Sequence, residues 1–177
     1  MKLNRDTEAV FRVQEYGTRP TIDGVVTLEV RRLNDDGGAM IELWRTGEPP
    51  GELGGFQPVQ INYSTLQPGV IKAFHVHRRQ TDVWFVPPED RVLLLLVDVR
   101  DASPTEGQRV RMVLGDGRSA LVKIPPGVAH GCRNIGSDVA RIVYFTDLAF
   151  SADPASCDEG RLPWDLAGAE AWETPRE

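Results

Sequence analysis

The feature that most constrains the fold is a succession of short β-rich runs separated by residues that favour turns. Runs rich in aliphatic and aromatic residues predict strands at 25–33, 39–44, 58–63, 70–77, 83–86, 91–99, 108–114, 120–124 and 140–145. Pro, Gly, Asn and Asp separate them, as in 87–90 and 115–117. Because no convincing helical period occurs before the C-terminus, the pattern predicts an all-β chain, either a sandwich, a jelly roll or a barrel.

The length of 177 residues and the hydrophobic fraction of 41% predict one domain with a sizeable core. We divide it into an N-terminal arm or edge strand (residues 1–24), a barrel (25–150) and a C-terminal tail (151–177). The tail is rich in Pro, Asp, Glu and Ala, and is predicted to pack on the barrel as a short helix or irregular segment through Trp164 and Trp172.

Net charge and the length of the apolar runs argue against two classes of partner, and the cysteine content bears on location. The net charge of −6 argues against nucleic acid. The longest apolar run, 92–97, is far shorter than the ~20 residues that cross a bilayer, so no membrane partner is expected. With two cysteines and no apolar leader at the start, a reducing cytoplasmic location is the default.

All three histidines of the chain fall in two patterned segments. His75 and His77 alternate in a predicted strand and therefore share a face, and their apolar neighbours indicate that this face is interior. His130 follows the turn Pro125-Pro126-Gly127, which is predicted to start another strand. We expect the three imidazoles to converge on one cavity.

These two segments resemble the two cupin signatures. They read Gly-x5-His-x-His-x4-Asp and Pro-x-Gly-x2-His-x3-Asn, with Asp82 where the first signature normally has glutamate. The resemblance implies a double-stranded β-helix, or jelly-roll barrel, whose wide mouth holds the site. Mixed nitrogen and oxygen ligands suit a divalent transition metal, and Asp82 could equally be a solvated turn carboxylate. The residues that could surround such an ion are His75, His77, Asp82 and His130.

A longer resemblance, over 23–165, is to the dTDP-4-dehydrorhamnose 3,5-epimerase family, a branch of the cupins. The segments that carry it are 35–42, 60–64, 69–75, 98–107, 124–131, 144–147 and 162–165. It implies removal and return of protons beside the ketone of a nucleotide-linked 4-keto-6-deoxy sugar, without a cofactor. It also implies a homodimer, since N-terminal strands of this family commonly extend a neighbour's sheet.

The same resemblance implies roles for individual residues. His75 matches the base and Asp165 the carboxylate that orients it, while Tyr144 matches the acid on the other face of the sugar; a ketone-acidified C–H needs a base that titrates near neutrality. The residues it implies for substrate binding are Gln60, Asn62, Lys72, His77, His130 and Glu42.

The chain also departs from this family. Asp82 stands where the family has a lysine that stabilises the enolate, and Gly37 replaces an arginine. His77 replaces a glutamine and completes the metal-type pair. From the resemblance as a whole we expect an isomerase acting on a dTDP-4-keto-6-deoxyhexose or a related sugar. Two alternatives stay open: a metal-dependent cupin, either an oxygenase or a non-sugar isomerase, and a catalytically silent small-molecule-binding cupin.

Overall fold

The computed structural model describes residues 1–14, 17 and 19–174. One short α-helix, α1 (Arg5–Val10), precedes the strands, and 3₁₀ helices occur at Gly51–Leu53 and Ala169–Trp172. The strands are β1 (Val26–Glu29), β2 (Arg32–Asp35), β3 (Gly38–Ile41), β4 (Gln60–Leu66), β5 (Ile71–Val76), β6 (Asp82–Phe85), β7 (Arg91–Asp98), β8 (Arg109–Gly115), β9 (Ala120–Ile124), β10 (Val128–Asn134), β11 (Ala140–Thr146) and β12 (Gly160–Arg161).

The strands form two five-stranded antiparallel sheets and a separate hairpin. The first sheet has the order β1-β9-β6-β11-β4, the second has the order β12-β5-β10-β7-β8, and β2 pairs with β3. Apolar side chains of both sheets meet in one core, where Trp84 and Val122 of the first pack with Leu94 and Leu96 of the second. The all-β jelly-roll class predicted from the sequence is confirmed.

Strand β7 shows why one predicted strand reads as a continuous apolar run. Leu94 and Leu96 face the core between the sheets, whereas Leu93 and Leu95 face outward into a second cluster that contains Trp172. A strand that is covered on both faces has no polar side to alternate with. Each leucine that is fully removed from water contributes about 2 kcal/mol, so β7 is a central stabilising element.

The C-terminal segment covers the outer face of the second sheet. Trp172 is buried, and its ring centroid lies 5.4 Å from that of Phe74. Its indole N–H donates to the backbone carbonyl of Trp164 at 2.9 Å. Trp164 was predicted to pack as well, but its side chain is exposed. The last three residues of the predicted tail lie outside the described residues.

The sequence and the structure differ most at short elements. The run 25–33 is divided between β1 and β2, which belong to different sheets; the strand expected after the turn at 125–127 is β10, whereas β12 was not predicted. Residues 5–10 form an exposed helix, whose N-terminus is capped by Asn4 accepting from the backbone N–H of Thr7 at 2.9 Å.

None of the described helices is long and apolar enough to cross a membrane. The division of the chain at residues 24 and 150 stays a prediction.

Candidate active site

A cavity of about 640 Å³ lies between β5, β10 and β12 of one sheet and β4, β6 and β11 of the other. All three histidines line it, together with Tyr144, Lys72 and Asp82 from the predicted set. The remaining lining residues are Ser64, Leu66, Gln80, Trp84, Cys132, Ile142, Phe150, Glu159 and Arg161.

An irregularity in β5 aims its side chains into this cavity. His75 pairs with His130, but Lys72 pairs with Cys132, so three steps along β5 oppose two along β10. This β-bulge puts both Lys72 and His75 on the cavity side, while Phe74 points to the opposite face. Gly131 permits the close approach, because a Cβ there would lie 2.4 Å from the Cβ of Ala73.

The structure brings the three histidines together, as predicted. The ring of His130 lies 5.9 Å from that of His75 and 5.4 Å from that of His77, measured between centroids. The turn ahead of β10 fixes this arrangement: the N–H of Gly127 donates to the carbonyl of His77 at 2.7 Å. Gly127 has φ +75°, a value that favours glycine.

The carboxylate that contacts His75 is Glu159. Its Oε1 lies 2.5 Å from Nδ1 of His75, and this contact holds the pKa of Glu159 below its usual value. Asp165, which the sequence favoured for this role, is exposed and lies beyond the short strand β12. The correction has a structural reason: β12 pairs with β5, so the residue just before β12 is the one delivered to His75.

Sequence reasoning missed both Glu159 and Arg161. They flank Gly160, and a Cβ at that position would lie 2.8 Å from the carbonyl oxygen of Val76. A glycine between two charged residues in a Pro- and Asp-rich tail was the only local signal for this strand, and two residues are too few to show a β period.

His77, Asp82 and His130 form a buried cluster deeper in the cavity. One potential ligand atom from each lies within 4.8 Å of the others, which suits a metal site. Nε2 of His130 is 3.5 Å and Nε2 of His77 is 4.0 Å from Oδ2 of Asp82. His75, included in the predicted ligand set, instead contacts Glu159 and Arg161 through its two ring nitrogens.

The second nitrogen of each clustered histidine is held by the backbone. Nδ1 of His77 donates to the carbonyl of Asp158 at 2.9 Å, and Nδ1 of His130 donates to that of Val128 at 3.1 Å. Since a carbonyl only accepts, Nδ1 carries the proton in both rings. Burial lowers the pKa of His130 well below its usual value, so its Nε2 presents a lone pair toward Asp82.

Asp82 is therefore no solvated turn carboxylate. It is buried at the start of β6, where Gln80 Nε2 donates to Oδ1 at 2.7 Å and the indole of Trp84 donates to Oδ2 at 3.1 Å. Both donors are neutral. The carboxylate also faces two imidazole nitrogens, and it has no Lys or Arg partner among the described ion pairs.

Tyr144 supplies a phenol on the wall formed by the first sheet. It lies on β11, and its ring centroid is 6.1 Å from that of Trp84. Burial raises the pKa of Tyr144, and the negative charges of Asp82 and Glu159 raise it further. The phenol is therefore protonated at neutral pH and can act as an acid.

Three of the predicted substrate contacts do not line the cavity. The side-chain nitrogen Nε2 of Gln60 donates to Oδ1 of Asn62 at 2.8 Å, and its side-chain oxygen Oε1 accepts from the backbone N–H of Phe150 at 2.8 Å. Gln60 thus holds the lining residue Phe150 in place rather than facing the cavity itself. Glu42 is exposed after β3 and pairs with Arg45 at 2.9 Å.

The thiol of Cys132, also on the cavity wall, is unreactive at neutral pH. Burial raises the pKa of its thiol to about 12, so the reactive thiolate is essentially absent at neutral pH. Both cysteines of the chain are free, and Cys157 is only partly buried.

Comparisons with known proteins identify relatives of this chain. SpsL, a spore coat polysaccharide biosynthesis protein of Bacillus subtilis, is 40% identical over 144 residues, which cover 81% of this chain and 91% of SpsL. Agl13 of Haloferax volcanii, a probable low-salt glycan biosynthesis epimerase, is 31% identical over 147 residues, which cover 82% and 90%.

Solved structures show the same fold. A dTDP sugar isomerase from Desulfovibrio desulfuricans superposes with a TM-score of 0.73 at 26% identity, covering 85% of this chain and 91% of that one. An epimerase from Legionella pneumophila, solved with dTDP-4-keto-L-rhamnose, gives 0.71 at 26% identity, covering 81% and 75%. The family model described as dTDP-4-dehydrorhamnose 3,5-epimerase matches residues 19–165. That span is most of the chain and SpsL is a relative at 40% identity, so the chain belongs to the dTDP-4-dehydrorhamnose 3,5-epimerase family of nucleotide-sugar epimerases.

Proposed function

We propose that this protein epimerises a dTDP-4-keto-6-deoxyhexose or a related nucleotide-linked keto sugar. The observation that carries the proposal is the contact of His75 with Glu159 in a cavity whose opposite sheet presents Tyr144. A cavity of about 640 Å³ lies in the range of small-molecule sites. The two sheets would thus present a base and an acid to opposite faces of one sugar ring.

The proton transfers follow from these positions. Nε2 of His75 takes the proton from the carbon beside the ketone, and Glu159 stabilises the imidazolium that forms. Tyr144 then donates its proton to the other face of the same carbon, which inverts the centre, and both groups return to their starting states by exchange with solvent. This chemistry needs acid–base groups only and no cofactor.

The test is exchange of solvent deuterium into the sugar positions beside the ketone, followed by NMR on several nucleotide-linked 4-keto-6-deoxy sugars. We expect exchange with the wild type and a fall of about 10²–10⁴-fold for His75→Asn. Tyr144→Phe should keep exchange but lose inversion, because deprotonation survives without the far-side acid. Tight nucleotide-sugar binding without any exchange would instead identify a catalytically silent binding protein.

The buried cluster favours a second candidate, a metal-dependent reaction. His77, Asp82 and His130 are two neutral nitrogen ligands and one carboxylate, which suits Fe, Mn or Zn, and each histidine has the backbone partner that typically orients a metal ligand. Metal content of protein purified without a histidine tag decides between the candidates. Near-stoichiometric metal in the wild type that is lost in a folded His77→Gln variant would favour the metal-dependent reaction. Trace metal in both the wild type and the variant would leave the epimerase as the remaining candidate.

We also propose that the protein is a homodimer. Strand β4 is an edge of its sheet, and its outer face exposes Ile61 and Tyr63 next to Val59. The N-terminal arm likewise exposes Val10 and Phe11. Unpaired edges and exposed apolar side chains are liabilities that pairing with a second copy removes. Sedimentation at micromolar protein should give a dimer, and a monomer would contradict the proposal.

A reducing cytoplasmic location completes the proposal, because both cysteines are free thiols. Fractionation of cells that express the protein at its native level would test the location.

A further inference from the structure

The base His75 is held from both sides. Its Nδ1 lies 2.5 Å from Oε1 of Glu159, and its Nε2 lies 2.9 Å from Nη1 of Arg161. A carboxylate only accepts and a guanidinium only donates, so Nδ1 carries the proton and Nε2 carries the lone pair. The nitrogen that would accept a substrate proton is therefore covered by a cation.

Arg161 has a fixed backbone and a mobile end. In the pairing of β12 with β5, Arg161 stands directly opposite His75. The next residue extends the ladder, because the N–H groups of Phe74 and Leu162 each donate to the other's carbonyl, at 3.2 and 3.0 Å. The side chain is 64% exposed, so the guanidinium can leave His75 while the strand stays in place.

Proton removal beside a ketone places a negative charge on the ketone oxygen, and that charge needs a positioned donor. The carbon that loses its proton must come within about 3–3.5 Å of Nε2 of His75. The ketone oxygen is attached to the neighbouring carbon, so it enters the same region, where Nη1 of Arg161 lies.

Other parts of the cavity wall are less suited to this charge. Lys72 and Arg161 are the two Lys or Arg residues that line the cavity within the described chain. The ammonium of Lys72 is engaged elsewhere, because its Nζ donates to the carbonyl of Thr65 at 3.3 Å. The inner wall presents the carboxylate of Asp82 and the lone pair of His130, which would repel an oxyanion.

We propose that Arg161 is a catalytic residue whose guanidinium leaves Nε2 of His75 when the sugar binds and donates to the ketone oxygen. As the C–H bond breaks, its electron pair forms the carbon–carbon double bond of the enolate, and the ketone π pair moves onto the oxygen that Arg161 holds. The proton goes to Nε2 of His75. When Tyr144 protonates the carbon, the oxygen pair re-forms the ketone. This inference rests on the proposed function.

The experiment compares deuterium exchange, kcat and KM for wild type, Arg161→Gln and Arg161→Lys. The matched control is Arg91→Gln, because Arg91 is also an exposed arginine paired with a carboxylate, Asp116, but lies outside the cavity. We expect Arg161→Gln to lower kcat by about 10²–10³-fold with KM changed less than about tenfold. Arg161→Lys should retain more activity than Arg161→Gln because it keeps the charge, and Arg91→Gln should match the wild type.

A rescue experiment separates loss of the cation from loss of structure. Guanidinium chloride at millimolar concentration should restore turnover to Arg161→Ala in a saturable way, whereas urea at the same concentration should not. Wild-type kcat in Arg161→Gln, or a rise in KM alone, would overturn the catalytic role while leaving the epimerase intact. Absence of exchange in the wild type would overturn the epimerase and this inference together.

Discussion

Asp82 and Asp98 are both buried aspartates at strand ends, yet their surroundings are opposite. Asp98 closes β7 and accepts from the guanidinium of Arg100 at 2.8 Å through each oxygen, and from the hydroxyls of Ser103 and Thr105 at 2.6 and 2.7 Å. Asp82 opens β6 with two neutral donors and with imidazole lone pairs in front of it.

The comparison separates a carboxylate that serves the fold from one that serves the site. Asp98 accepts hydrogen bonds from three residues of the loop between β7 and β8 and so fixes that loop. Nη2 of Arg100 also donates to the carbonyl of Asp23 at 2.8 Å. A buried charge is costly unless it is paired, and Asp98 is fully paired. Asp82 lacks such a cation, so its remaining lone pairs are available to an incoming donor, whether a sugar hydroxyl or a metal ion.

The same substitution at both positions tests this difference, and the largest effect is expected at Asp98. Asp98→Asn leaves Arg100 without its partner and turns an amide N–H₂ toward groups that donate. We expect the free energy of unfolding to fall by about 3 kcal/mol, as measured by urea denaturation at pH 7. A loss below about 1 kcal/mol would show that the network does not stabilise the fold in the way we infer.

Acid should remove the same contribution from the wild type. Hydrogen bonds from Arg100, with those from Ser103 and Thr105, hold the pKa of Asp98 well below its usual value, although burial opposes this. Because the folded pKa is depressed, the contribution is complete above the unfolded pKa of about 3.9 and is lost as pH falls through the folded value. The difference in unfolding free energy between wild type and Asp98→Asn should therefore be constant from pH 7 to about 5 and shrink below about pH 4. A difference that already shrinks between pH 7 and 6 would contradict this assignment.

The smallest change in stability is expected at Asp82. In Asp82→Asn, an amide nitrogen at the Oδ2 position can donate to Nε2 of His130 but can no longer accept from the indole of Trp84, while the amide oxygen keeps the hydrogen bond from Gln80. One hydrogen bond is gained and one is lost, so protein dialysed against a chelator should change in unfolding free energy by less than about 1 kcal/mol, by the same urea titration. If divalent metal stabilises only the wild type, Asp82 is a ligand; a loss as large as that of Asp98→Asn would erase the distinction between the two carboxylates.

The sequence predicted the elements whose signals are local and failed where tertiary pairing decides. Turn residues and apolar runs located the long strands, such as β7 and β8, and the alternation of His75 with His77 placed both in one cavity. The bulge in β5 left no pattern, so the shared orientation of Lys72 and His75 could not be derived.

The partner of His75 illustrates the other limit. Asp165 was chosen because segment 162–165 resembles the family, but the pairing of β12 with β5 brings Glu159, the residue before β12, to His75 instead. Which of several tail carboxylates reaches a histidine depends on the register of a two-residue strand, and register is a property of the pairing. The sequence left Asp82 open between a residue beside the histidines and a solvated turn carboxylate, because its burial depends on the position of β6 between β9 and β11.

The two thiols differ enough in burial to allow selective labelling of one of them. Because Cys132 is buried and protonated at neutral pH, a maleimide dye added to the wild-type protein should attach at Cys157 alone. Cys157 lies two residues before Glu159, on the segment that brings Glu159 and Arg161 to His75. The native sequence thus carries a single attachment point from which fluorescence can follow this segment as a nucleotide sugar enters, without an engineered cysteine.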